Sequence, residues 1–188
     1  VTIQQGIVKM LRLRQLANSM ELLGDSKKST KVEVLKELLP TLLNETRKAI
    51  VFSEFSSMCD IIERELEEWR PLKITGEVQG RDEILKAFHE KDEHRVLVMS
   101  SAGQFCLNVQ RASVVVHFDN AWSLSRMIQR TGRAHRIGQK DTVLEYHLLG
   151  KGTVDMYVKR TLERKREVAD FMLGTTELLE ALRYEENE

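Results

Sequence analysis

Met127-Ile128-Gln129-Arg130-Thr131-Gly132-Arg133-Ala134-His135-Arg136-Ile137-Gly138-Gln139-Lys140 is the stretch on which the reading of this chain turns. It contains Gln129-x-x-Gly132-Arg133-x-x-Arg136, whose two arginines stand three apart and so share one face of a helical turn. Gly132 precedes the pair and Gly138 follows it. Between Asn120 and Lys140 lie Arg126, Arg130, Arg133, Arg136 and Lys140, with neither Asp nor Glu. The formal net charge of the whole chain is +0, so this positive patch is a local concentration. Arginine stays charged at any working pH and grips phosphate oxygens through two parallel N–H groups. Charge runs on helices are more often solvated faces than sites. The ordered spacing, not the charge alone, has to carry a functional reading.

Outward from this stretch, short apolar runs alternate with amphipathic segments. Residues 49–52, 73–75, 96–99, 114–118 and 144–149 read as strands, and continuous apolar runs of this kind suit strands buried on both faces. A helix over 58–69 is expected, capped by Ser56 or Ser57. Another over 79–89 turns Ile84, Leu85 and Phe88 inward. Alternating strands and helices predict an α/β fold, a parallel β-sheet with helices on both faces. Ahead of it, residues 4–20 read as a basic amphipathic helix, with Ile7, Val8, Leu11, Leu16 and Met20 as the packed stripe. A linker over 24–30 follows. The next helix, over 31–46, has Thr30 as cap, Glu33 in the capping-box position, and a kink or break at Pro40. A long helix over 153–173 offers Val154, Val158, Leu162, Val168, Ala169 and Met172 for packing, and its basic residues read as a solvated face. Residues 177–188 form an acidic helical or frayed tail. The expected division is an N-terminal helical extension (1–29), an α/β lobe (30–152) and a C-terminal helical brace with the tail (153–188).

Sheets of this kind bind ligands beyond the carboxyl ends of their strands, and the distinctive residues fall there. Ser53-Glu54-Phe55-Ser56-Ser57 follows the first strand, Thr75-Gly76 and then Arg81 the second. Ser100-Ser101-Ala102-Gly103, running on to Asn108, follows the third. Asp119-Asn120-Ala121-Trp122 follows the fourth and leads into the arginine segment. Hydroxyls and free amides at a helix start make a phosphate seat, although helix capping alone would also account for Ser56 and Ser57.

Composition bounds the alternatives. A chain of 188 residues is of single-domain size, and 41% hydrophobic with 31% charged residues can fill a core and keep a polar surface. Two cysteines, Cys59 and Cys106, do not make a disulfide scaffold and suggest a reducing compartment. The five histidines show no metal-ligand spacing, so no metal site is expected. A Cys106–His135 nucleophile pair lacks any orienting third group. No apolar run approaches a membrane span and no signal-peptide pattern opens the chain. Motifs this close to the start suggest a piece of something longer.

The pattern Gln129-x-x-Gly132-Arg133-x-x-Arg136 resembles motif VI of superfamily-two helicases. Its extension through Arg133-Ala134-His135-Arg136-Ile137-Gly138-Gln139 resembles the Swi/Snf branch. Lys48-Ala49-Ile50-Val51-Phe52-Ser53 is similar to motif IV, and Ser100-Ser101-Ala102-Gly103 through Leu107-Asn108 to motif V. Leu11-Arg12-Leu13-Arg14-Gln15-Leu16 resembles a helix found ahead of the second lobe in that branch. Gly150-Lys151-Gly152-Thr153-Val154-Asp155 resembles the segment that returns across the two lobes. The chain departs from the pattern at Gln104 and Cys106, where motif V usually has glycines, at Gly132, where many Swi/Snf members have Asp, and at Ser123-Leu124, where Asn-Pro is usual.

The resemblance implies the C-terminal, second RecA-like lobe of a DNA-dependent ATPase and translocase, acting on chromatin or another nucleoprotein. Arg133 and Arg136 would be the catalytic arginine fingers and Gln129 and Gly103 the ATP-sensing residues. Ser56, Ser57, Ser100, Ser101, Asn108 and Trp122 would contact duplex DNA. ATP and Mg2+ would be held mainly by the first lobe, because this chain has neither the Gly-x-x-x-x-Gly-Lys-Ser/Thr loop nor an Asp-Glu-x-His or Asp-Glu-x-Asp segment. The lobe alone should therefore be inactive. Its expected partners are duplex DNA, the first lobe of the same chain and a protein substrate on DNA, with no membrane. Its expected place is intracellular: cytoplasm or nucleoid if microbial or viral, nucleus if eukaryotic. The alternative is a non-catalytic DNA- or protein-docking module derived from such a lobe.

Overall fold

The computed structural model describes residues 2–43, 47–101, 109–134 and 142–185, with only the backbone from 175 on. Five strands, β1 (Lys48–Ser53), β2 (Leu72–Ile74), β3 (Val96–Ser100), β4 (Ala112–His117) and β5 (Leu144–His147), form one parallel sheet in the order β2-β3-β1-β4-β5. The expected α/β class holds. β1, β3 and β4 are buried along their whole length, as their unbroken apolar runs require. β5 lies at the edge, and there burial alternates.

Successive residues of a strand face opposite sides, and the core divides accordingly. Val51, Val98 and Val116 pack against Leu35 and Leu39 of α2 (Thr30–Leu42) and Met58 and Ile62 of α3 (Ser56–Glu65). Ile50, Phe52, Leu97, Met99 and Val115 face Phe88 of α4 (Arg81–Glu90) and Ala134 of α5 (Leu124–Ala134). Each of the Val, Leu, Ile, Phe and Met side chains contributes roughly 1.5–3 kcal/mol on burial. A smaller cluster joins Ala121 and Met127 to Val158 and Leu162 of α6 (Val154–Glu185).

Several local expectations change. Helix α1 (Ile3–Asn18) forms, closed by a reciprocal Thr2–Gln5 capping box, but its apolar stripe does not pack. Ile7 is 65% exposed and Val8 56%, whereas Arg14 is 7% and Asn18 2% exposed. The inward face is polar because a carboxylate waits there, as described below. Ser29, not Thr30, caps α2 by accepting from the Val32 amide. Pro40 lies within α2, which ends two residues later at Leu42. Ser56 and Ser57 are the first residues of α3 rather than its cap. Phe55 takes the cap position with no side-chain bond. Helix α6 continues to Glu185, and its described side chains divide along its length. Val158 and Leu162 are buried, while Val168, Phe171 and Met172 are exposed. Among the described residues no helix is long and apolar enough to cross a membrane.

Candidate functional site

The carboxyl edge of the sheet is built around Asp119, which is 2% exposed. The Phe118 amide donates to the Phe52 carbonyl at 2.9 Å and carries the chain past the end of β4. One oxygen of Asp119 then accepts from Ser53 Oγ at 2.6 Å and from Asn18 Nδ2 at 2.7 Å. The other accepts the Glu54 amide at 2.8 Å, with Arg14 3.8 Å away. Arg14 also donates to the Asn120 carbonyl at 2.7 Å. This explains the inverted face of α1: a buried carboxylate needs donors, and Arg14 and Asn18 supply them. Lys31 extends the network to α6, with Nζ 2.6 Å from Asp155, 3.0 Å from Asn18 Oδ1 and 3.1 Å from the Phe118 carbonyl.

Helix α5 is seated on this edge by Arg130, whose side chain is completely buried. One guanidinium nitrogen donates to the Asp119 carbonyl at 2.9 Å, another is ion-paired with Glu54, and the group lies over the Phe52 ring. Glu54 also accepts from Ser101 Oγ at 2.8 Å and sits 3.6 Å from Arg126. Burial pushes the Arg130 guanidinium down from its ordinary value, and the Glu54 and Asp119 carboxylates act against that shift. So one of the patch arginines is a structural anchor and another is partly neutralised. The rest of α5 presents Arg126, Gln129 and Arg133 at positions i, i+3 and i+7 of one face, the first two exposed and Arg133 half-buried.

The other candidates are distributed unevenly. Ser56 and Ser57 are exposed on the uncapped first turn of α3. Ser101 is half-buried and committed to Glu54, and Ser100 is 1% exposed at the end of β3. Trp122 lies apart from them, edge-on to Tyr157 and beneath Arg14, with Lys165 donating to its carbonyl at 2.9 Å. Gly103, Asn108 and Arg136 lie outside the described residues, as do Gln104, Cys106 and His135. Sequence reasoning passed over Glu54, Asp119 and Arg130 as individuals. Their signal was present: a single acid in each of two polar loops, facing a helix with cations and no acid of its own.

A second cluster lies beyond α5. His117, wholly buried, directs Nε2 to Glu145 Oε1 at 2.8 Å and stacks on His147 with ring centroids 4.6 Å apart. Thr131 Oγ1 of α5 donates to the same Glu145 oxygen at 2.8 Å. The His117 bond is the main cause holding the Glu145 carboxyl well below its usual range, with His147 second. Burial pushes the His117 imidazole down. Glu145 and His147 line a cleft of about 650 Å³ between α5, β5 and α6.

The helicase conserved C-terminal domain model matches residues 30–138, more than half of the chain. This chain belongs to that family, as the C-terminal lobe of a Swi/Snf-type helicase. It is 32% identical over 142 residues to the ATP-dependent helicase fft2 of Schizosaccharomyces pombe, covering 73% of this chain and 11% of that protein. It is 30% identical over 183 residues to the chromatin-remodeling ATPase INO80 of Mycosarcoma maydis, covering 91% of this chain and 9% of that protein. The Sulfolobus solfataricus SWI2/SNF2 ATPase core in complex with dsDNA superposes with a TM-score of 0.74 at 28% identity, covering 89% of this chain and 38% of that one. The lobe thus spans about a tenth of the length of these curated relatives. Its fold is the RecA-like sheet of the Swi/Snf C-terminal domains.

Proposed function

We propose that this lobe is the second half of a DNA-dependent ATPase and translocase, supplying arginine fingers to ATP held by a first lobe and phosphate contacts to duplex DNA. The observation that carries this reading is the seating of α5. Arg130, Glu54 and Asp119 fix the helix to the sheet edge, Arg126 and Gln129 stand on its outer face, and Arg133 is half-buried beside them. A finger works by meeting charge that develops on a transferring phosphoryl group, so it must be held in advance of the reaction. Arg133 would be one finger, Arg136 the second, and Gln129 with Gly103 would register the nucleotide.

Among the described residues, the acids at this edge do not fit magnesium. Glu54 is taken by Arg130 and Ser101, and Asp119 by Ser53, Asn18 and the Glu54 amide. The ion that ATP chemistry requires is therefore assigned to the first lobe, and this chain alone should hydrolyse nothing. On the DNA side, Ser56 and Ser57 on the open first turn of α3 form the accessible part of the seat, because helix N-termini attract phosphate oxygens. Ser101, bonded to Glu54, would contribute only by giving up that bond, and Ser100 is buried at the end of β3. Asn108 and Trp122 complete the proposed set, Trp122 from the α1–α6 side. INO80 is named as a chromatin-remodeling ATPase, and the present lobe would act likewise on a protein bound to DNA, in nucleus or nucleoid.

The second reading, a docking module, draws on the exposed apolar residues Ile3, Ile7, Val8 and Leu11 of α1 and Phe171 and Met172 of α6. In the motor reading these faces meet the rest of the same protein. Titration of duplex DNA at rising salt tests the DNA contact. Log affinity should fall linearly with log salt, with a slope of roughly 0.9 per phosphate contacted, similarly for unrelated sequences, and should weaken further in Ser57→Asp. Salt-independent affinity, or no effect of Ser57→Asp, would remove the phosphate seat.

A further inference from the structure

His117, Glu145 and His147 have no part in the proposed motor. We propose that they bind a divalent transition-metal ion of the zinc class, with one coordination position open to the cleft between α5, β5 and α6. The inference does not rest on the motor reading. It rests first on strand geometry. β4 and β5 pair in parallel with His117 opposite His147. Glu145 stands two residues before His147 on the same strand, and period-two alternation puts all three on one face. One ligand atom from each lies within 4.8 Å of the others. Glu145 Oε1 is 2.8 Å from His117 Nε2 and 3.4 Å from His147 Nε2. A tetrahedral zinc ion with bonds of about 2.0–2.1 Å needs donors about 3.3–3.4 Å apart; the His147–Glu145 pair meets this spacing, while the His117–Glu145 pair must open and the two stacked rings must turn so that their in-plane lone pairs converge.

The second support is the state of the imidazoles. His147 Nδ1 lies 2.8 Å from Asn120 Oδ1. An amide oxygen can only accept, so the ring proton belongs on Nδ1, and the Nε2 lone pair then faces the Glu145 carboxylate. A cation there, either a second proton on the ring or a metal ion, joins these two groups. Orientation of a ligating histidine through its other nitrogen is the usual outer-sphere arrangement. His117 lacks it: its Nδ1 is buried without a hydrogen-bond partner. The site therefore belongs with exchangeable metals rather than permanently held ones.

Donor chemistry selects the ion. Two imidazoles and a carboxylate suit zinc and its neighbours, whereas magnesium and calcium prefer oxygen throughout. Three protein ligands leave a fourth position for water or an anionic oxygen, and Glu145 and His147 both border the 650 Å³ cleft. The spacing of the histidines along the chain gave no sign of this, because the ligands come from two strands 28 residues apart.

The test uses the chain without a histidine tag, stripped by chelator and titrated with Zn2+ against a chromophoric competitor, with Co2+ as a spectroscopic probe. The expected result is one equivalent of Zn2+ that exchanges with the competitor, tetrahedral Co2+ absorption, and a higher unfolding temperature with Zn2+. His147→Ala and Glu145→Gln, at partly exposed side chains, should each weaken binding at least tenfold and abolish the thermal shift. Their circular dichroism should match that of the parent. Asn120→Ala should weaken binding by roughly tenfold through loss of orientation. No stoichiometric uptake, or affinity unchanged in both His147→Ala and Glu145→Gln, would overturn the proposal. His89→Ala with His94→Ala serves as the control that should change nothing.

Discussion

Glu54→Ala should unseat helix α5. Arg130 is 0% exposed and its guanidinium has Glu54 as its ion-pair partner, with the Glu54 side chain itself 12% exposed. Removing one partner of a buried pair strands a charge, at a cost of roughly 3–5 kcal/mol, whereas exposed pairs contribute about 0–1 kcal/mol. Glu54 keeps some access to water, so the lower end, about 3 kcal/mol, applies. For a domain of this size that corresponds to a fall of roughly 6–12 °C in Tm. The exposed Arg126 contact adds little. Replacing both partners should be far milder. Arg130→Met in the Glu54→Ala background places an apolar side chain against the Phe52 ring already beneath it, and buried ion pairs are often replaced by apolar residues at little or no cost. Urea unfolding followed by circular dichroism, analysed as a double-mutant cycle, measures both terms. A Glu54→Ala loss below about 1 kcal/mol, or a double variant no more stable than the sum of the singles, would refute the anchor.

Three other outcomes follow from the same structure. Asn18→Ala removes a donor to Asp119 and an acceptor for Lys31 and should cost about 1–3 kcal/mol, with α1 becoming the first site of proteolysis. Ile7→Ala on the exposed stripe should cost less than about 0.5 kcal/mol, and the reverse ranking would mean that apolar contact holds α1. At Gly132 an added Cβ would meet nothing within 4 Å, so Gly132→Ala should raise the urea midpoint by the equivalent of roughly 0.5–1 kcal/mol; a lowered midpoint would contradict the helical geometry there. Burial pushes the Cys59 thiol up to about 12. Near pH 8 almost none is thiolate, so in a Cys106→Ser background maleimide labelling of Cys59 should track the unfolding equilibrium in urea. Rapid labelling of the native chain would contradict it.

Much of the fold was legible because the central strands are continuous apolar runs. Residues 49–52, 96–99 and 114–118 could hardly be anything but buried strands once turn residues bounded them, and β1, β3 and β4 occupy those positions. The helix faces of α4 were legible for a similar reason, with Phe88 buried as its spacing required. Helix α1 misled because periodicity reports where apolar residues are, not which face has a partner. The buried Asp119 carboxylate recruited Arg14 and Asn18, and a tertiary demand overrode the amphipathic pattern. The same limit applies at α5. Arg126, Arg130 and Arg133 look alike along the sequence, but only the fold reveals that Arg130 points into Glu54 and the Phe52 ring while Arg126 and Gln129 face outward. The cluster of His117, Glu145 and His147 depends on strand register, which no local spacing encodes.

The most direct test of the motor account is ATP turnover by the longer protein that contains this lobe, with and without duplex DNA. Arg133→Ala and Arg136→Ala should be compared with Arg126→Ala as the control on the same helix. The longer protein should show DNA-stimulated hydrolysis. Arg133→Ala and Arg136→Ala should each lower kcat by roughly 10³–10⁵ with little change in ATP KM. Arg126→Ala should stay near the parent rate, and the present chain alone should show no turnover. Hydrolysis that survives loss of both arginines, or an intact longer protein with no turnover under any DNA condition, would contradict it and favour the docking module.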